Sequence, residues 1–338
     1  MKAALFEKPH HLRVVQKPTR TIDEHEVLIR VSACGVCGTD VHIVEGSSRS
    51  SPPVVLGHEF TGVIEDMKAP VGGFSVGDRV AVDPNVNCGR CFFCRRGEVH
   101  LCERLRALGV DLDGGMAEFC IVPPAQLYRL PGTMAPDVAA FIEPLSCAVH
   151  GIDRAAIRAG DTVVILGGGT AGLLLAQLAK NAGAAHTVVV EPVEWKRKIA
   201  ERVGADVVID PEATDVRTSI NELTSVGADV VIECVGKPRT VALALDLARR
   251  GGTVEIFGVC PLGETVPLEP NCVYSKEITI VGSYINPHTF DRAIALLAAN
   301  KVTVGPFVIN KFPLDRVREA LNALQDGTTI KSLICPSL

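Results

Sequence analysis

The segment Thr162-Val-Val-Ile-Leu-Gly-Gly-Gly-Thr-Ala-Gly172 decides the fold. Its first five residues form an apolar, β-branched run that reads as a buried strand. Gly167, Gly169 and Gly172 then give the pattern G-x-G-x-x-G, and Leu173 to Lys180 continues as a helix. A tight turn needs the first glycine, close approach of a pyrophosphate needs the second, and close packing of helix on strand needs the third. Thr170 and Ala171 fill the start of the helix, where unpaired N–H groups face a phosphate.

The pattern extends outward from there. Thr187-Val-Val-Val-Glu191 reads as a second strand, and Glu191 stands 24 residues after Gly167. An acid at this place accepts hydrogen bonds from an adenosine ribose and repels a 2′-phosphate, which favours NAD over NADP. Lys196 and Arg197 follow closely and argue the other way, because either cation can meet a phosphate. Further strands are expected at 206–210, 228–233, 252–257 and 277–282, with helices near 194–203, 214–225, 238–250 and 288–300. Six short Val/Ile-rich strands alternating with helices specify a doubly wound parallel sheet covered on both faces.

Residues 1–140 have another texture. Short runs such as Val27 to Val31 and Phe60 to Ile64 are separated by Gly/Pro turns, which indicates a β-rich domain. Within it lies CGRCFFCRRGEVHLC, with Cys88, Cys91, Cys94 and Cys102 in the spacing C-x2-C-x2-C-x7-C. Four thiolates suit a closed tetrahedral zinc site. An iron–sulfur cluster is the rival reading, and a redox pair is disfavoured for want of a strand–CxxC–helix context. His100 breaks the even spacing and reads as a bystander. The scattered Cys120, Cys147, Cys234, Cys260, Cys272 and Cys335 read as small buried hydrophobes.

A second polar constellation comprises Cys37-Gly-Thr-Asp-Val-His42, Gly57-His58-Glu59 and Glu143-Pro144. Cys37, His58 and a carboxylate form a mixed S/N/O donor set of the kind that holds a catalytic zinc with one position open. Their spacing is too wide for a finger, so only a fold can assemble them.

Composition sets the bounds. The chain has 338 residues, 47% of them apolar and 22% charged, with a formal net charge of −5. That length suggests two domains. No basic footprint for nucleic acid is present, no apolar stretch is long enough to span a bilayer, and the N-terminus does not read as a secretory signal. Cytoplasmic residence is the default, and there twelve cysteines argue for thiols and metal ligands rather than disulfides.

Together these motifs carry a resemblance. "GVCGTDVH" (35–42), "GHEFTGV" (57–63), the four-cysteine loop, "EPLSCAVHG" (143–151), "GGGTAG" (167–172) and "ECVG" (233–236) agree in order and spacing. The chain resembles the zinc-dependent medium-chain alcohol and polyol dehydrogenases over essentially its whole length, and most closely their sorbitol dehydrogenase-like branch. The resemblance implies an α/β protein with a GroES-like β-rich catalytic domain and a Rossmann domain. The expected boundaries are 1–144 for the first part of the catalytic domain, 145–282 for the NAD-binding domain and 283–338 for the catalytic return. It implies one catalytic and one structural Zn2+ per subunit. Cys37 and His58 are the expected direct ligands. Glu59 is a ligand in some members and lies beside the ligands in others. Glu143 stands where many simple alcohol dehydrogenases place a cysteine, and in the polyol and threonine branches it meets zinc directly or through water. Asp40 is expected to fix the ring of His58. Thr39 is placed to contact the substrate oxygen and His42 to pass the proton outward. Cys234, Val235, Gly258 and Val259 are expected to line the coenzyme beside the glycine loop.

The implied reaction removes the proton of a hydroxyl beside zinc and transfers hydride from its carbon to the nicotinamide. "EPLSCAVHG" looks more like the polyol enzymes than the threonine dehydrogenases, so a small polyol is the expected partner. Threonine or a secondary alcohol such as butanediol is the alternative, and a non-catalytic zinc-bearing dinucleotide sensor the alternative of another class. Compact members of this family are often tetrameric, and a homotetramer is the expectation.

Overall fold

A computed structural model describes residues 1–69, 72–307 and 309–338. The chain divides into two compact units. One comprises Met1–Glu143, Phe290–Ala298 and Phe307–Leu338, and the other Pro144–Thr289 and Ala299–Pro306.

The second unit is built on six parallel strands, Thr162–Leu166, His186–Val190, Val207–Ile209, Ala228–Glu233, Ala248–Ile256 and Thr279–Gly282. Numbered along the chain, they lie in the order 3-2-1-4-5-6. That is the doubly wound order, and it reverses beside the first strand, where a crevice opens at the carboxyl ends. Thr162–Leu166 is buried along its whole length, as the central strand of such a sheet must be. Helix Thr170–Asn181 follows it and buries every residue from Gly172 to Ala179. Each of its buried leucines contributes about 2 kcal/mol of apolar burial.

The largest departure of a boundary from the sequence reading lies at the fifth strand of this sheet. The expected helix 238–250 ends at Leu247, and the fifth strand begins at Ala248. Arg249 and Arg250 look like the cationic last turn of a helix, yet they sit in an irregular strand start whose register shifts against the fourth strand. Gly251, with φ of 69°, makes that bend possible.

The first unit contains a seven-stranded sheet. Its strands run in the order Leu127–Arg129, Arg79–Val82, Glu59–Met67, Val27–Gly35, Lys331–Ile334 and Ile309–Phe312, and Phe119–Val122 also pairs with Val27–Gly35. A smaller sheet joins His11–Gln16, Lys2–Lys8 and Val54–Val55. Phe6, Leu12, Ile29, Phe60, Ile64 and Met116 fill the core with at most 2% exposure each. The C-terminal strand Lys331–Ile334 thus lies beside Val27–Gly35, with Leu333 opposite Gly35, and Gly35 in turn lies opposite Glu59. This brings residues from both ends of the chain to one edge of the polar site.

Among the helices that escaped the sequence reading are two that carry candidate site residues. Gly38–Glu45 is short, and Ile142–Ala155 contains Pro144 and Gly151, which mask its period. Proline is tolerated in a first turn because its missing N–H has no partner there. No helix among the described residues is long and apolar enough to cross a membrane.

Candidate active site

Strand Val27–Gly35 ends at the site, and Cys37 caps helix Gly38–Glu45. The backbone N–H of Cys37 donates to Asp40 Oδ2 at 2.9 Å, which closes a capping box. The other oxygen, Oδ1, lies 3.5 Å from Nδ1 of His58. Asp40 is fully buried, so one carboxylate accepts the backbone N–H of Cys37 and sets its charge beside the ring of His58. Cys37, His58 and Glu59 place one donor atom each within 4.8 Å of one another. Burial alone would push the proton off His58, but Asp40 and Cys37 outweigh it and hold the ring's pKa well above the ordinary histidine value. The same field favours any cation at this place, and the soft thiolate and imidazole suit zinc.

Glu143, expected among the ligands, stays outside that group of three. It sits in the first turn of Ile142–Ala155 and is buried. Thr39 has its hydroxyl 3.7 Å from the Cys37 sulfur. His42 is half-buried on the same helix, and its carbonyl accepts from the N–H groups of Ser47 and Ser48.

One participant went unnoticed in the sequence. Lys331 is 2% exposed, and its ammonium forms an ion pair with Glu59 Oε2. Burial would lower the pKa of the ammonium; the charges of Glu59, Cys37 and Glu143 overcome that and raise it above the ordinary lysine value. The available signal was a lone lysine inside the strand Ile330-Lys-Ser-Leu-Ile334, where a buried charge requires a partner.

The four-cysteine loop is assembled by a short helix, Phe92–Arg95, and a 3-10 turn, Val99–Leu101. The sulfurs of Cys88, Cys91, Cys94 and Cys102 lie within 4.8 Å of one another, with Cys91 to Cys94 at 3.5 Å and Cys88 to Cys94 at 4.0 Å. Zinc–sulfur bonds of about 2.3 Å in a tetrahedron put sulfurs about 3.8 Å apart, so the set fits one zinc ion. Backbone N–H groups of Cys88 and Arg104 point at the Cys102 sulfur, each at 3.3 Å. The amides of Arg90 and Cys91 lower the pKa of the Cys88 thiol to about 6, whereas burial and the neighbouring thiols raise that of Cys94 to about 12, so the four do not ionise alike without a cation among them. None of the twelve cysteines is joined in a disulfide. Of the scattered six, only Cys120 is buried; Cys147, inside helix Ile142–Ala155, and Cys234, Cys260, Cys272 and Cys335, at loops and element ends, are half-buried, which corrects their reading as core residues.

In the second unit the glycine loop joins the first strand to its helix. Gly167 has φ of 108°, and a Cβ on Gly172 would fall 1.9 Å from the Gly167 carbonyl oxygen. A Cβ on Gly169 would meet nothing within 4 Å, so the loop is open there. Thr170 and Ala171 form the first turn of helix Thr170–Asn181, whose cap is Gly169. Glu191 follows the second strand. Its Oε2 accepts from Gly168 N–H at 2.8 Å and its Oε1 from Val193 N–H at 3.0 Å. Arg197 is occupied elsewhere. It donates to the carbonyls of Glu191 and Pro192 and pairs with Asp210 at 2.8 Å. Lys196 lies over the Trp195 ring. On the neighbouring fourth strand, Glu233 is fully buried and accepts from Val235 N–H, Gly236 N–H and the Thr240 hydroxyl. It thereby shapes the turn that carries Cys234 and Val235, a role the sequence reading did not assign. Gly258 packs against that turn, where a Cβ would lie 2.4 Å from Gly236 N, and Val259 next to it is 72% exposed.

Comparison with known proteins accords with this chemistry. Residues 23–132 match the alcohol dehydrogenase GroES-like domain, and residues 171–299 match the zinc-binding dehydrogenase domain. The chain is 36% identical to D-arabinitol dehydrogenase 1 of Uromyces fabae, over 100% of this chain and 97% of that one. It is 36% identical to a sorbitol dehydrogenase of Halalkalibacterium halodurans, over 96% of each, and 36% identical to an L-threonine 3-dehydrogenase of Pyrococcus horikoshii, over 90% of each. A zinc-binding dehydrogenase of Sinorhizobium meliloti, solved bound to NADP, superposes with a TM-score of 0.95 at 41% identity and 99% coverage of both chains. With a GroES-like unit, a Rossmann unit and relatives along its full length, the chain belongs to the zinc-dependent medium-chain alcohol and polyol dehydrogenase family of oxidoreductases.

Proposed function

We propose that the protein oxidises a secondary hydroxyl of a polyol to the ketose, reversibly, with NAD as hydride acceptor. The observation that carries the chemistry is the grouping of Cys37, His58 and Glu59 in one unit. The substrate class rests on the full-length similarity to D-arabinitol dehydrogenase 1. The threonine dehydrogenase relative has the same identity over a smaller share of the chain, and makes threonine the second reading.

Cys37 and His58 hold the catalytic metal in this account, and Cys88, Cys91, Cys94 and Cys102 hold a structural one. A zinc ion bound at the catalytic site supplies the Lewis acidity that makes a hydroxyl proton easy to remove. Asp40 keeps the His58 ring oriented. Thr39 contacts the substrate oxygen, and His42 passes the proton outward. Glu143 acts through its charge on the surrounding groups. The Gly167–Gly172 loop would hold the pyrophosphate of a bound coenzyme, with the turns at Cys234, Val235, Gly258 and Val259 beside it. NAD supplies the hydride acceptor.

NAD is favoured because an acid, Glu191, ends the second strand, held by two backbone N–H groups, while Arg197 is committed to Asp210. The edge strand Thr279–Gly282 leaves Ile280 38% exposed, and Tyr284 beside it 56% exposed. An open apolar edge of this kind supports association of copies, consistent with a homotetramer. Twelve unbridged cysteines support a cytoplasmic setting.

The test is coenzyme reduction with NAD and with NADP across D-arabinitol, sorbitol, xylitol, ribitol, threonine and 2,3-butanediol. The highest kcat/KM is expected for a polyol with NAD. The highest kcat/KM for threonine or butanediol would contradict the substrate class, and a preference for NADP would contradict the reading of Glu191.

A further inference from the structure

Glu255 is a buried acid outside the candidate site. It lies in the fifth strand of the parallel sheet, fully buried, and neither carboxyl oxygen has a hydrogen-bond partner among the described residues. Native chains pair almost every buried polar atom, so an acid with two bare oxygens calls for a reason. Val254, next to it, packs with Ala244 and Leu247 of helix Pro238–Leu247. Side chains alternate along a strand, so Glu255 faces the other side of the sheet.

Helix Ile142–Ala155 lies on that side. A Cβ on Gly151 would fall 2.9 Å from Glu255 Oε1 and 3.0 Å from the Phe257 ring. The helix thus meets the sheet through a bare glycine, directly over the carboxyl. From the same helix, the exposed Arg154 guanidinium acts on Glu255 against the effect of burial, while its Nε donates to the Gly282 carbonyl at 3.1 Å. On the fourth strand Ile232 stands opposite Glu255, and the nearby Cys234 thiol is kept protonated by its own burial and then by the charges of Glu255 and Glu233. On the sixth strand Val281 stands opposite. A neutral carboxyl is tolerable in such surroundings, and a carboxylate costs far more.

We propose that Glu255 is a proton-operated latch for helix Ile142–Ala155: the protonated side chain lets the Gly151 turn lie on the sheet, and loss of the proton lifts that turn so that the carboxylate reaches Arg154 and water. The same helix presents Glu143 from its first turn, which puts the latch on an element that carries a candidate site residue. The closed turn holds the carboxyl's pKa near 8, and the open turn returns it to the ordinary carboxylate range. Opening is therefore rare at acid pH, grows as pH rises through that window, and levels off above about 8.

The experiment is amide hydrogen exchange of the full-length protein, read by mass spectrometry from about pH 5 to about pH 9 and corrected for base catalysis of exchange itself. In the parent, the opening constant of peptides from Ile142–Ala155 rises about tenfold per pH unit and levels above about pH 8. At every pH it exceeds that of helix Pro238–Leu247, on the opposite face of the sheet. Glu255→Gln removes the rise. Arg154→Met removes the cation that opposes burial, and moves the levelling point to higher pH. A flat profile in the parent overturns the proposal, as does a rise that persists in Glu255→Gln. Opening constants that coincide for the two helices report unfolding of the whole unit, and overturn the latch as well. If Glu255→Gln does not fold, Arg154→Met decides, and a levelling point that stays in place overturns the proposal.

Discussion

Asp40 Oδ1 stands 3.5 Å from His58 Nδ1 inside a fully buried setting. The same side chain accepts the Cys37 N–H, so it governs two donors at once. Asp40→Asn keeps the shape and removes the charge. Metal affinity at Cys37/His58 is expected to fall about 10- to 100-fold. Chelator competition checks this, with the four-cysteine site as the internal control. Unchanged affinity would remove Asp40 from the account.

Glu191 tests coenzyme choice. Glu191→Ala removes a ribose acceptor and also frees the N–H groups of Gly168 and Val193. The kcat/KM with NAD should fall about tenfold or more, which is ~1.4 kcal/mol of transition-state stabilisation. Adding Asp210→Ala releases Arg197 from its ion pair, and the double variant should gain with NADP relative to NAD. An unchanged NADP-to-NAD ratio of kcat/KM would contradict the assignment.

Gly172 tests the glycine loop. Because a Cβ there meets the Gly167 carbonyl at 1.9 Å, the helix must move away from the turn. Gly172→Ala should cost about 1–3 kcal/mol of stability, as overpacking does, and raise the KM for coenzyme. Denaturant unfolding and a coenzyme titration measure the two effects. A stable variant with parental KM would show that the loop tolerates the shift.

Glu255 gives a pH dependence. It lies in the fifth strand of the parallel sheet, fully buried, and burial raises its pKa to about 8 against a weaker opposing effect of Arg154. Between an ordinary carboxylate value and about 8, the folded chain keeps a proton that the unfolded chain has released. Stability therefore falls as pH rises through this window, and the loss is complete above about 8. Glu255→Gln does not titrate. Its stability relative to the parent should improve by ~2–4 kcal/mol between pH 5 and pH 8. A difference constant with pH, measured by urea unfolding, would contradict the assignment.

Local patterns were legible and distant pairings were not. The glycine loop and Glu191 announce themselves because strand, turn and acid follow in one short stretch with fixed spacing. The four cysteines do so for the same reason. Cys37 and His58 could be joined only through the resemblance, since no local rule relates them. Lys331 was passed over because its partner Glu59 lies at the far end of the chain, and only the sheet order makes them neighbours. Glu255 was read as one more residue of a Val/Ile-rich strand, because a period of two cannot tell a buried acid from an exposed one in a sheet covered on both faces. Helix Ile142–Ala155 was lost to Pro144 and Gly151, and with it the first-turn placement of Glu143.

The central claim is that a hydride passes from a polyol's carbinol carbon to the nicotinamide. The most direct measurement incubates the zinc-loaded protein with NAD and D-arabinitol carrying deuterium at its secondary carbinol carbons. Mass spectrometry of the reduced coenzyme should show one deuterium per molecule, with a ketose as the co-product, and Cys37→Ser should abolish both. Reduced coenzyme without deuterium, or no reduction by any polyol from protein with both metal sites filled, would contradict the account.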